Sequence, residues 1–176
     1  MALFAIGDPH LSLGSNKPMD VFGGAWSGYV DKLSAGFQAV GNDDTVVLCG
    51  DISWALQLEE AKSDLQWLAQ LPGEKILLRG NHDYWWTSLK KMQQFTENKF
   101  QFLQNNCIMV GNTAICGTRG WILPSSDNFT PEDQKIYQRE SIRLELSLQA
   151  AAKQQAENII CVFHYPPLFA AEEHTL

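Results

Sequence analysis

Asp8, His10, Asp51, Asn81 and His164 have one thing in common: each closely follows an apolar run of strand length. Leu3-Phe4-Ala5-Ile6 leads into Gly7-Asp8-Pro9-His10, and Val46-Val47-Leu48-Cys49 into Gly50-Asp51. Ile76-Leu77-Leu78 leads into Arg79-Gly80-Asn81-His82-Asp83, and Ile159-Ile160-Cys161-Val162-Phe163 into His164-Tyr165-Pro166-Pro167. Loops leaving the carboxyl ends of buried strands open over the crevice above a sheet, where ligands gather. One such loop is an ordinary polar turn; four of them predict that distant residues converge at one sheet edge. Carboxylate and amide oxygens with imidazole nitrogens, and no thiolate, suit Mn, Fe, Zn or Ni in a reactive centre rather than a structural zinc. A carboxylate such as Asp51 can bridge two ions, and two ions about 3.5–4 Å apart clamp a phosphate and bring bound water towards ionisation near neutral pH. His82, beside Asn81 but not needed as a ligand, is placed to protonate a leaving alkoxide.

The elements that must hold these residues alternate between strand and helix. Residues 2–7 read as a first strand, buried on both faces because it is continuously apolar. Residues 11–26, with Gly, Ser, Asn and Pro, read as a long loop beside the site, in which Trp26 is a lid or packing residue. Ser27 reads as the N-cap of a helix carrying Tyr29, Val30, Leu33, Phe37 and Val40 at helical spacing up to Gly41-Asn42. A strand over 45–49 follows, then a helix running from the Ile52–Ala55 region to about Leu71, a strand over 76–78, and a helix from Trp85 to Phe95. This order predicts a parallel sheet with right-handed crossovers and all strand ends on one side. Beyond Phe100 the pattern changes: Gly111-Asn112 between two apolar runs predicts a hairpin, hence a second sheet. Pro131 at the first turn opens a long helix to about Gln155, with Ile136, Ile142, Leu144, Leu146 and Leu148 among its apolar positions, before the last strand.

Composition bounds the function. With 176 residues and 45% apolar content, one domain with a substantial core is expected over 1–176. A net charge of −7 argues against a general nucleic-acid or anionic-membrane surface, because such surfaces work through Lys and Arg. A small nucleotide stays open as a ligand. The four cysteines form no C-x-x-C pair and read as buried free thiols, which fits a reducing compartment. No charged leader with a long apolar segment, and no run of about 20 apolar residues, is present, so the expectation is a cytoplasmic protein without membrane contact.

Asp8-Pro9-His10, Gly50-Asp51, Gly80-Asn81-His82-Asp83 and His164, in this order, resemble the motif series of the calcineurin-like metallophosphoesterases, D-x-H, G-D, G-N-H-D/E and H. The resemblance spans residues 8–164 and implies an α/β/β/α sandwich of two mixed sheets. It implies two divalent metal ions: Asp8 and His10 on one, Asn81 and His164 on the other, and Asp51 bridging. It gives His82 the leaving group and Asp83 the orientation of a neighbour. The implied substrate is a small phosphomonoester or phosphodiester. Read from its setting in Gly117-Thr118-Arg119-Gly120-Trp121, Arg119 is a candidate either to hold a phosphate through its fork of donors or to form a structural salt bridge. Trp54, Trp85, Trp86 and Trp121 lie near the site loops and are candidates to stack on a ring, against core packing as the ordinary role.

Two departures from the family pattern shape the expectation. In the protein serine/threonine phosphatase branch the G-D motif continues to a second Asp and an Arg, positions held here by Trp54 and Ala55, which disfavours that branch. The family's closing G-H-x-H is absent, and His174, near the chain end at Leu176, stands in a different setting. The sequence therefore reads as a C-terminally truncated domain, with a non-catalytic metal- or partner-binding module as the alternative to an enzyme. An open sheet edge left by truncation predicts pairing with a second copy.

Overall fold

A computed structural model describes residues 1–17 and 19–168; His174 lies outside the described residues. The first sheet has the order β1-β2-β3-β4, from β1 (Leu3–Ile6), β2 (Thr45–Leu48), β3 (Glu74–Leu78) and β4 (Gln101–Leu103). All its pairings are parallel, so among the described residues this sheet is not mixed as expected. The second sheet, β5 (Ile108–Val110), β6 (Thr113–Thr118) and β7 (Asn158–Phe163), is mixed: β5 runs antiparallel to β6, and β7 parallel to it. The hairpin closes with Val110 opposite Thr113 around Gly111-Asn112, as the turn residues require.

Among the described residues four α-helices cover the two sheets: α1 (Tyr29–Gly36), α2 (Lys62–Gln70), α3 (Leu89–Phe95) and α4 (Pro131–Lys153). Val46, Leu48 and Leu77 point from the first sheet into a cluster with Phe37, Leu65, Leu68, Trp85 and Met92. The alternate residues Val47, Ile76 and Leu78 meet Leu103, Ile108 and Ile115 between the sheets. Ala114 and Cys116 face Ala151 and Leu148 on the far side of the second sheet. The layers are thus α/β/β/α. Each fully buried aliphatic chain contributes about 1.5–3 kcal/mol, so the central strands β2 and β3 hold the site's floor rigid.

Several local expectations change. The first strand is not buried on both faces: at the sheet edge among the described residues, β1 packs Phe4 and Ile6 against the helical layer and leaves Leu3 and Ala5 on the other face exposed. The N-cap of α1 is Gly28, in a left-handed conformation, rather than Ser27, and a short 3₁₀ turn over Phe37–Ala39 ends that segment. Residues 52–61 form turns before α2 instead of its first half, and Trp85 and Trp86 are buried in the loop ahead of α3. β4 is a strand the apolar pattern did not reveal. Cys107 and Cys116 are buried, whereas Cys161 is exposed on β7 and Cys49 only half-buried. The long helix starts as expected, with Thr130 and Asp133 forming a reciprocal capping box around Pro131. Its apolar residues do not all turn inward: Ile142 and Leu146 are exposed, while Glu140, Ser147 and Ala151 are buried. No helix among the described residues is long and apolar enough to cross a membrane.

Candidate metal centre

The loops after β1, β2, β3 and β7 meet at one end of the two sheets. The first two are zipped together, Asp8 N–H donating to Gly50 O (3.0 Å) and His10 N–H to Asp51 O (2.9 Å). Gly80 packs so tightly under Asp51 that an added Cβ would lie 2.1 Å from Asp51 Oδ1, and one on Gly50, at φ +100°, would lie 2.7 Å from His164 Nδ1. Only glycine leaves room there for the carboxylate and the imidazole. Asp8, His10 and Asp51 have φ values of 55°, 43° and 52°. Non-glycine residues held at positive φ cost about 1–3 kcal/mol each and cluster at functional sites, where the surrounding structure enforces them.

Asp8, Asp51 and His164 bring one ligand atom each within 4.8 Å of one another. Asp51, 3% exposed, is central: its Oδ2 lies 3.6 Å from His10 Nε2 and its Oδ1 lies 3.6 Å from His164 Nε2. His10 Nε2 is also 3.6 Å from Asp8 Oδ1. Burial pulls the His10 ring below the ordinary histidine range, against the opposing pull of Asp51 and Asp8. His164 Nδ1 lies 3.0 Å from Cys49 O and its Nε2 2.7 Å from Asn81 Oδ1. Imidazole nitrogen and amide oxygen thus stand side by side next to the Asp51 and Asp8 carboxylates, a donor set that fits a divalent ion.

His82 is fixed through its backbone, whose N–H donates to Asp51 Oδ1 (2.8 Å). Its ring is half-buried, 4.8 Å from the Trp54 ring, and makes no hydrogen bond among the described residues. Trp54 also stacks on His10 at 4.8 Å and 20°, and Trp26 meets His10 edge-on at 5.9 Å, so these two tryptophans wall the imidazole that the sequence places nearby. Asp83, wholly buried, accepts from Gly80 N–H (2.7 Å), Ile52 N–H (2.8 Å), Trp85 Nε1–H (2.9 Å) and Ser53 N–H (3.2 Å). It laces the loop after β2 to the loop after β3. Burial pushes its carboxyl up, and the four donors pull it back down.

Arg119 is not turned towards these carboxylates. Its guanidinium reaches Glu140 (Nη2 to Oε1, 3.4 Å) and lies 4.6 Å over the Trp121 ring. Its carbonyl accepts from His164 N–H and Tyr165 N–H, which ties the His164 loop to the end of β6. Sequence reasoning assigned no role to Arg79 or Glu140. Arg79 stands directly before the Gly80-Asn81-His82-Asp83 motif, a signal that a charged group closes a buried strand; Glu140 reads as one more charge on a surface helix.

A family model described as calcineurin-like phosphoesterase matches residues 1–175. No curated protein matches the chain. Among solved structures the chain is similar to the crystal structure of the protein of unknown function AQ665 from Aquifex aeolicus. The two share 19% identity over 97% of this chain and 84% of that one, with a TM-score of 0.44.

Proposed function

From the premise that this chain belongs to the calcineurin-like phosphoesterase family, a family of metal-dependent phosphoester hydrolases, we propose that it hydrolyses a small phosphomonoester or phosphodiester at a two-metal centre. The observation that carries this reading is the position of Asp51, whose two oxygens face two different imidazoles, His10 and His164, at 3.6 Å each. A carboxylate so placed is suited to serve two ions at once. Asp8 and His10 would hold one, and Asn81 and His164 the other; Mn, Fe, Zn and Ni all suit this donor set. When bound, such ions activate a water and neutralise the phosphate charge.

The chain's own residues do the rest. The positive-φ backbone at Asp8, His10 and Asp51 aims their side chains before any ligand arrives. Asp83 fixes the β2 and β3 loops relative to each other, so that Asp51 and Asn81 keep their separation. His82, with its backbone tethered to Asp51 and its ring free, delivers a proton to the leaving oxygen. Trp54 and Trp26 shield the His10 side from water.

The test is metal content and turnover together. Purified protein with added Mn is expected to bind metal and to hydrolyse an aryl phosphate mono- or diester. Asp51→Asn is expected to lower both metal affinity and rate by about 100-fold. His82→Ala is expected to slow poor leaving groups more than good ones, and equal slowing across the series would remove the general-acid role. Metal binding without turnover would favour the metal-binding module over the enzyme. No bound metal at millimolar Mn would overturn both.

A further inference from the structure

Beside the metal centre, between the ends of β3 and β6 and the helix α4, lies a cavity of about 40 Å³ lined by Arg79, Arg119, Arg143, Glu140, Thr118 and Gln104. That is more than a single water needs. The charge around it is lopsided. Glu140, 2% exposed, accepts from Thr118 Oγ1 (2.5 Å), Arg143 Nη1 (2.8 Å) and Arg119 Nη2 (3.4 Å), with Arg139 Nε at 3.8 Å. Both its oxygens are committed. Arg79 makes no ion pair among the described residues, and its Nε is buried without a partner, as is that of Arg119. Asp83, the other carboxylate felt by Arg79, has given its oxygens to four N–H donors. Burying guanidinium groups without counter-charge is costly, and burial does pull on Arg79 and Arg119.

In a chain of net charge −7, a half-buried niche with three guanidiniums, a single carboxylate among them and two unspent N–H groups is built for an anion. We propose that the Arg79–Arg119–Arg143 niche binds a phosphate-type oxyanion at a position separate from the metal ions. Guanidinium forks match such oxygens in pairs. The niche shares backbone with the metal centre: Arg79 directly precedes Gly80-Asn81, and the Arg119 carbonyl holds His164. Its occupant is therefore either free phosphate or a second phosphate carried by the substrate.

The experiment uses metal-free, chelator-treated protein, so it stands whether or not the proposed hydrolysis is found. Inorganic phosphate at constant ionic strength is titrated by calorimetry, with thermal melts alongside. Wild type is expected to bind one phosphate per chain and to gain melting temperature from it. Arg79→Met is expected to weaken binding by about tenfold or more. Because Arg79 has no partner to lose, the same variant should melt no lower than wild type in phosphate-free buffer. A lower melting temperature without phosphate would assign Arg79 a structural role and overturn the proposal. So would equal phosphate binding by wild type and Arg79→Met, or none by wild type. Arg143→Gln, a second variant at the rim, guards against a single misleading substitution and should also weaken binding. With Mn-loaded protein, a KM raised by Arg79→Met for a doubly phosphorylated ester but not for a singly phosphorylated one identifies the substrate as the source. Phosphate inhibition relieved by the variant, with both KM values unchanged, identifies free phosphate.

Discussion

Asp83 and Glu140 are both buried carboxylates at the loop end of the molecule, and they are satisfied in opposite ways. Asp83 is held by four neutral dipoles: three backbone N–H groups and one indole. Glu140 is held by a threonine hydroxyl and by arginines. Neutral donors spend themselves on one acceptor and leave no charge behind. Arginines bring five donors and a full charge each, so a single carboxylate leaves donors and positive charge over. The first arrangement makes a rigid clasp under the candidate metal ligands, and the second the proposed anion niche. The difference shows how one loop face can carry both a scaffold and a candidate anion site.

The largest expected effect comes from breaking the clasp. Asp83→Ala strands four donors in a dry environment and should cost on the order of 3–5 kcal/mol of stability. It should also lower metal affinity by about 10–100-fold, because the residue orients the loops bearing Asp51 and Asn81 without binding the ion itself. Denaturant unfolding and Mn titration measure the two. A variant that loses stability but keeps full metal affinity would separate the clasp from the site.

Next in size is the loss of the second carboxylate. Glu140→Gln keeps the shape and removes the carboxylate that pairs with Arg119 and Arg143, and the partial exposure of Arg143 (33%) softens the cost to about 2–3 kcal/mol. Here the comparison sharpens: phosphate should recover part of the Glu140→Gln loss and none of the Asp83→Ala loss. Recovery of neither would break the distinction between dipole-held and charge-held carboxylates.

How far the sequence showed this arrangement depends on which forces built it. The ligand loops are legible because β2 and β3 are short apolar runs cut by Gly50 and by Arg79-Gly80, and such breaks mark strand ends whatever packs around them. The hairpin at Gly111-Asn112 is legible for the same local reason. β4 is not, since three residues, Gln101–Leu103, carry no period of their own and become a strand by pairing with β3. The edge position of β1 is equally hidden, because an apolar run does not say how many neighbours it will have. Glu140 is the clearest failure. The apolar residues of α4 suggest that leucines and isoleucines face inward, yet β6 offers Thr118 Oγ1 and Gly117 N–H, and polar Glu140 and Ser147 turn to meet them. A helix face is chosen by its partner surface as much as by its own pattern.

Acid should separate the two regions further, with a smaller effect because burial and two carboxylates oppose one another on His10. With the folded-state pKa lowered, the folded chain binds fewer protons than the unfolded chain between that value and the ordinary one near 6.5. The contribution of His10 is therefore complete above that ordinary value and is lost as pH falls through the window below it. Metal-free His10→Gln should show a flatter stability profile there than wild type. An equally steep decline would assign the acid sensitivity to groups other than His10. The arginine niche keeps its charge throughout this range.

The smallest effect tests whether α4 matters to the niche only through where it places Glu140. Thr130 caps the helix, its Oγ1 accepting from Asp133 N–H (3.2 Å) while Asp133 Oδ2 accepts from Thr130 N–H (2.9 Å). Thr130→Ala removes the first of these bonds together with the one its hydroxyl donates to Asp133 Oδ2 (2.5 Å), and should cost about 1 kcal/mol. Asp133 keeps a second bond, accepting from Trp121 Nε1–H (2.8 Å), and Trp121 is the ring beneath the Arg119 guanidinium. The contact from helix tip to niche therefore runs through the Asp133–Trp121 bond, which Thr130→Ala leaves in place. Thr130→Ala should lower stability while leaving phosphate and metal binding as in wild type, whereas Asp133→Ala should lower stability and weaken phosphate binding as well. If both substitutions weaken phosphate binding equally, the niche depends on the helix as a whole, and Glu140 is held by the rigidity of α4 rather than by the local grip of its own donors.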